Sequence, residues 1–90
     1  MATAQAIAQA IHNRVNQAPS PSYTAWRIGL THDPEERRKS WHEPKYFTHW
    51  KADSLEEAQK VETYFINEKK MKGGTGGNLS PYKTTYVYIF

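Results

Sequence analysis

The 90-residue sequence contains no cysteine. That excludes disulfide bonds and thiolate metal sites. It also lacks any apolar run near the roughly 20 residues that a membrane-spanning helix requires. The alanine-rich start, MATAQAIAQAI, carries no basic segment of the signal-peptide kind. These absences give the expectation of a cytoplasmic protein, bacterial or phage in type, with no membrane partner. Charge of one sign is not dominant either. Twelve Lys and Arg against nine Asp and Glu leave a net charge of +3 and a pI near 9.2. That balance permits nucleic-acid binding without requiring it. Glycine is scarce along most of the chain, because four of its five glycines fall within GGTGG, residues 73–77.

What is plentiful is aromatic surface, at 13% of residues with three Trp and six Tyr. In a single domain of this length most of it belongs in the core, and the remainder is available to stack on bases.

Periodicity predicts alternating elements. Ile7, Ile11 and Val15, flanked by Ala4 and Ala8, form a narrow apolar stripe on a helix spanning 2–16. The segment APSPS, residues 18–22, breaks that helix. Residues 23–30 alternate as a strand, with Thr24, Trp26, Ile28 and Leu30 on the expected core side. Asp33 is an N-cap and Pro34 a first-turn residue for a short helix over 34–41. Residues 46–52 read as a second strand. Ser54-Leu55-Glu56-Glu57 is a capping box opening a helix that continues to about Lys72. Residues 84–90, TTYVYIF, form a third strand. The fold class expected is α+β, a small three-stranded, mainly antiparallel sheet flanked by helices in the order α-β-α-β-α-β. Residues 1–17 form an N-terminal helix and residues 18–90 the α/β domain.

Three features can carry chemistry. Glu62 falls inside the apolar arc of the long helix, among Leu55, Ala58, Val61, Phe65 and Ile66. A carboxylate there snorkels to a rim, pairs with a cation or holds a metal. Arg37, followed by Arg38 and Lys39, lies in the first turns of the short helix, where a guanidinium clamps phosphate or simply faces solvent. GGTGGN follows a helix instead of preceding one, so its glycines read better as a helix stop than as a phosphate cradle. Asn78 closes that stretch as a ligand contact or a turn cap. His12, His32, His42 and His49 lack the spacing of zinc ligands.

Taken together, these motifs resemble the GIY-YIG nuclease superfamily. In RIGLTHDPEERR, Arg37 follows Gly29 by eight residues, the family's interval between second-motif glycine and arginine. In YFTHWKADSLEEAQKVETYFI a strand leads to a helix with Ala58 four residues before Glu62, where the family carries a metal-binding glutamate. Two departures stand out. Arg27 replaces the second-motif tyrosine, with Trp26 before it, and the first-motif strand does not precede residue 23. TTYVYIF is similar to that missing strand. A circular permutation is therefore expected, with Tyr88 in the place of the first-motif tyrosine and residues 84–90 antiparallel to residues 23–30.

The resemblance implies a metal-dependent endonuclease hydrolysing phosphodiester bonds of DNA or RNA. Glu62 would hold Mg²⁺ or Mn²⁺, Arg37 would stabilise developing charge, and Tyr88 would assist activation of the attacking water. Arg27, Arg38, Lys39, Trp26 and Asn78 are candidate substrate contacts. Two alternatives stay open. One is a relative without catalysis that binds nucleic acid, or a protein partner through its N-terminal helix. The other is an unrelated α+β interaction module.

Overall fold

The computed structural model describes residues 3–19, 22–73 and 79–90. Helix α1 spans Ala4–Asn16, and the Thr3 side chain caps it by accepting from the Ala6 N–H at 3.2 Å. A 3₁₀ turn, Tyr23–Ala25, leads into strand β1, Arg27–Thr31. Helix α2 is Pro34–Ser40, strand β2 Thr48–Lys51 and helix α3 Leu55–Asn67. Strands β3, Lys72–Gly73, and β4, Tyr86–Ile89, complete the fold.

The α+β class holds, but the sheet differs from the expected one. It has four strands in the order β2-β4-β1-β3 and is mixed, since β3 runs parallel to β1. β4 pairs antiparallel with β1 and with β2, so the last strand in sequence lies between the first two. The expected pairing of residues 84–90 with residues 23–30 is therefore present, in the register Gly29 to Tyr88 and Leu30 to Val87.

Two boundaries are corrected and one strand is added. β1 begins at Arg27, because Tyr23–Ala25 form the 3₁₀ turn. α3 ends at Asn67 instead of Lys72. Past its end, Lys70 takes a left-handed φ of 62° and turns the chain so that Met71 enters the core at 3% exposure. Lys72 and Gly73 then extend as β3, a strand too short to show any periodicity. Gly73 is the one residue type that fits there, since its φ is 153° and a Cβ would overlap the Ile28 carbonyl oxygen.

Strand alternation divides the sheet into two faces. Trp26, Ile28, Leu30, Val87 and Ile89 join Ile7, Ile11 and Val15 of α1 and Ala58, Val61 and Phe65 of α3 in one core. Every residue of the expected α1 stripe is buried. α1 lies toward β2, where the Arg14 Nε–H donates to Thr48 Oγ1 at 3.3 Å. The Ala4 N–H reaches Glu57 Oε1 on α3 at 3.2 Å. With the Lys60 ammonium, that bond holds the Glu57 carboxyl below its ordinary pKa.

On the opposite face the Tyr88 ring lies flat across Gly29. A Cβ at position 29 would overlap the phenol and stand 2.8 Å from ring atom Cε2. Gly29→Ala should therefore destabilise the fold by about 1–3 kcal/mol through overpacking. In a Tyr88→Ala background the same change should cost far less, because the obstruction is gone. Urea denaturation of the four proteins of this cycle measures it; an equal cost in both backgrounds would place the constraint elsewhere.

Candidate functional site

The local signals that form α2 are those read from the sequence. Asp33 Oδ1 accepts from the Glu36 N–H at 3.1 Å and Pro34 opens the first turn. Thr31 Oγ1 accepts from the Asp33 N–H at 3.0 Å, which fixes the exit from β1. α2 lies on the Tyr88 face. Just beyond its end, Trp41 packs on Phe90 with ring centroids 5.3 Å apart, and Phe90 stacks in line with Tyr88 at 6.1 Å.

Arg37 lines a pocket of about 310 Å³ with Thr31, His32, Asp33, Glu36, Ser40 and Leu79. Among the described residues its guanidinium takes part in no ion pair. His32 closes this pocket. Its Nε2 accepts from the Ser80 N–H at 2.9 Å, so the neutral ring carries its proton on Nδ1, 2.9 Å from the Thr84 carbonyl oxygen. The ring thus ties residues 80 and 84 to the start of α2.

Tyr88 is 4% exposed, covered by Phe47, whose ring stacks on it at 5.2 Å and 17°. The phenol points from β4 across Gly29 toward the outer edge of β1. Among the described residues, β3 pairs with that edge at Arg27 and Ile28. From Gly29 to Thr31 it has no neighbouring strand among the described residues.

Glu62 sits on α3, on the other side of the sheet from Tyr88. α1 meets α3 along Glu57 and Tyr64. Helical geometry puts Leu55, Glu62 and Ile66 on the opposite flank of α3, away from α1. Glu62 Oε2 is buried with no hydrogen-bond partner among the described residues, and burial raises its carboxyl pKa above the ordinary 4.5. No group of three or more His, Asp or Glu gathers among the described residues. A single carboxylate suits a cation that keeps most of its water, as Mg²⁺ does.

The other expected contacts are distributed. Arg27 lays its guanidinium over the Trp41 ring at 4.6 Å. Arg38 pairs with Glu43 at 3.5 Å, and Lys39 is exposed. Trp26 is 5% exposed and belongs mainly to the core. Asn78 and residues 74–77 of the glycine-rich stretch lie outside the described residues. No hydrogen bond or ion pair among the described residues joins Arg37, Glu62 and Tyr88 to one another; they stand on three elements, with Glu62 on the other side of the sheet from Arg37 and Tyr88. His32 was set aside in the sequence as one of four unrelated histidines. Only the fold, which brings position 32 beside residues 80 and 84, reveals its role.

Compared with family models, with curated proteins and with solved structures, the chain matches none.

The buried carboxyl makes stability depend on pH. Because the folded-state pKa of Glu62 is raised, its contribution is fully present below about pH 4.5 and is lost as pH rises through the folded value. Glu62→Gln should equal or exceed the natural protein in stability at neutral pH, with the difference shrinking in acid. Urea midpoints across a pH series check this. A Gln variant markedly less stable at neutral pH would mean that the carboxylate has a cationic partner in the fold.

Proposed function

We propose that this chain is a GIY-YIG-like, metal-dependent endonuclease acting on nucleic-acid phosphodiester bonds, with its site at the outer edge of β1. The observation that carries the reading is Tyr88 lying across Gly29 in the antiparallel β4–β1 pair. This is the juxtaposition that a permuted first motif requires. The half-buried Glu62 supports it from the other side of the sheet, since its Oε2 is buried without a hydrogen-bond partner among the described residues, which is costly unless something binds it.

In this reading the Glu62 carboxylate and water would hold Mg²⁺ or Mn²⁺. Such an ion neutralises charge on the scissile phosphate and on the leaving oxygen. The Arg37 guanidinium, with no ion pair in its pocket, donates two N–H groups to the same phosphate and binds it more strongly as charge develops. The Tyr88 hydroxyl orients the attacking water; packing beneath Phe47 keeps the ring from swinging away. Acid weakens metal retention early, because protonation of Glu62 begins at a higher pH than for an exposed glutamate.

A second reading, binding without cleavage, is favoured by one observation. Arg27 occupies the second-motif tyrosine position and stacks on Trp41, so that position supplies a cation instead of a hydroxyl.

The nuclease should nick DNA or RNA with Mn²⁺ or Mg²⁺ and stop with EDTA. Glu62→Gln should abolish cleavage. Arg37→Ala should slow it by about 10²-fold or more, with metal affinity unchanged. Tyr88→Phe should lower the rate without weakening binding. Binding without cleavage at any metal concentration would select the second reading.

Binding should also fall steeply with salt, and Lys39→Ala should reduce the slope of log affinity against log salt by about one unit if Lys39 contacts a phosphate. Fluorescence anisotropy of a labelled oligonucleotide between low and moderate salt measures it. An affinity indifferent to salt would point to a protein partner.

A further inference from the structure

A cleft lined by three aromatic side chains takes no part in the site around Glu62. It has a volume of about 280 Å³ and is walled by Ala18, Pro19, Ala25, Trp26, Tyr46 and Phe90. Three of those six side chains are aromatic. The Trp26 and Tyr46 ring centroids are 6.5 Å apart at 48°, so the rings form an open V and do not stack on each other. Tyr46 is 43% exposed, one of the few large hydrophobic side chains that the fold leaves in water. The small residues Ala18 and Ala25 keep the floor wide.

Two cations border this cleft. The Arg14 guanidinium stands 5.6 Å from both the Trp26 and the Tyr46 ring centroids, and Lys45 Nζ stands 5.4 Å from Tyr46. Arg14 is held by its bond to Thr48 Oγ1. Among the described residues no acidic side chain lines the cleft. A flat apolar slot edged by fixed positive charge is complementary to a flat π-face carrying a phosphate. It is a poor match for an apolar peptide side chain, which gains nothing from two cations at the rim.

The cleft is also joined to the proposed cleavage face. Phe90, which forms one wall, stacks with Tyr88 and packs on Trp41, beneath the Arg27 guanidinium. A strand lying along that face would reach the cleft past Phe90.

We infer that the Trp26–Tyr46–Phe90 cleft holds one unstacked base of a single-stranded nucleic acid, with Arg14 and Lys45 on its flanking phosphates. This deepens the function proposed above by naming single-stranded segments as the preferred substrate class, and it rests on that reading for the link to cleavage. Base stacking on an aromatic platform tolerates any sequence, because every base has a π-face. A paired base in a duplex is already stacked and cannot enter.

The test is binding in EDTA, so that metal and cleavage play no part. Anisotropy is measured with labelled oligo(dT) and with a labelled duplex of equal length. The natural protein should bind the single strand more tightly. Tyr46→Ala, at an exposed position that the core does not need, should weaken oligo(dT) binding about tenfold and leave the duplex unaffected. Tyr46→Trp should restore single-strand affinity. An unchanged affinity for oligo(dT), or an equal loss on both substrates, overturns the base-binding cleft. Protein that cleaves but ignores Tyr46→Ala refutes the cleft alone. Protein that binds oligo(dT) through Tyr46 yet never cleaves refutes the nuclease reading alone.

Discussion

The close approach of Tyr88 to Gly29 is the constraint on which the rest of this structure depends. β4 lies between β1 and β2, and its helix-facing residues Val87 and Ile89 complete the core. Its other face must then carry Tyr86 and Tyr88, because alternation leaves no choice. Only a residue without a Cβ at position 29 lets the Tyr88 ring lie down against the sheet. With the ring flat, Phe47 and Phe90 stack in line with it and Trp41 closes the row. α2 is anchored through Trp41, and with it Arg37. One missing methyl group thus sets the position of an aromatic layer and of the helix that carries the candidate arginine.

Chain order and spatial order differ for a physical reason. β4 enters the sheet from the far end of the sequence, and every pair it makes is long-range. Such pairing costs loop entropy before it returns any burial. The return is large, since Val87 and Ile89 are wholly buried between strands and helices. His32 adds a second tie on the same loop by binding residues 80 and 84. Strand β1 and the beginning of α2 are therefore held from two sides, while the β1 edge from Gly29 to Thr31 stays without a neighbouring strand among the described residues.

Much of this was legible in the sequence where the signal is local. Asp33 and Ser54 cap helices as their spacing implies, because a cap depends on three consecutive peptide groups. The alternating aromatic pattern of residues 84–90 marked a strand, and the apolar arc of α3 singled out Glu62. What the sequence hid is non-local or too short. Two residues of β3 carry no period, and the turn at Lys70 that ends α3 early depends on Met71 finding the core. The stretch 23–25 alternates like a strand, yet the chain turns there. Of the aromatic cleft the sequence marks Trp26 alone as a candidate contact: Arg14, Tyr46 and Phe90 are far apart in the chain, and each passes for an ordinary core or surface residue.

The central claim is that Glu62, Arg37 and Tyr88 serve one site at the outer edge of β1, although they arise on opposite faces of the sheet. Paramagnetic broadening of backbone amide signals during a Mn²⁺ titration tests it without requiring turnover. The account predicts that broadening begins at Glu62 and spreads to Leu30, Thr31 and Arg37, and that Glu62→Gln removes it. Broadening that instead begins at the exposed Glu56 and Glu57 pair, and persists in the Gln variant, would contradict it.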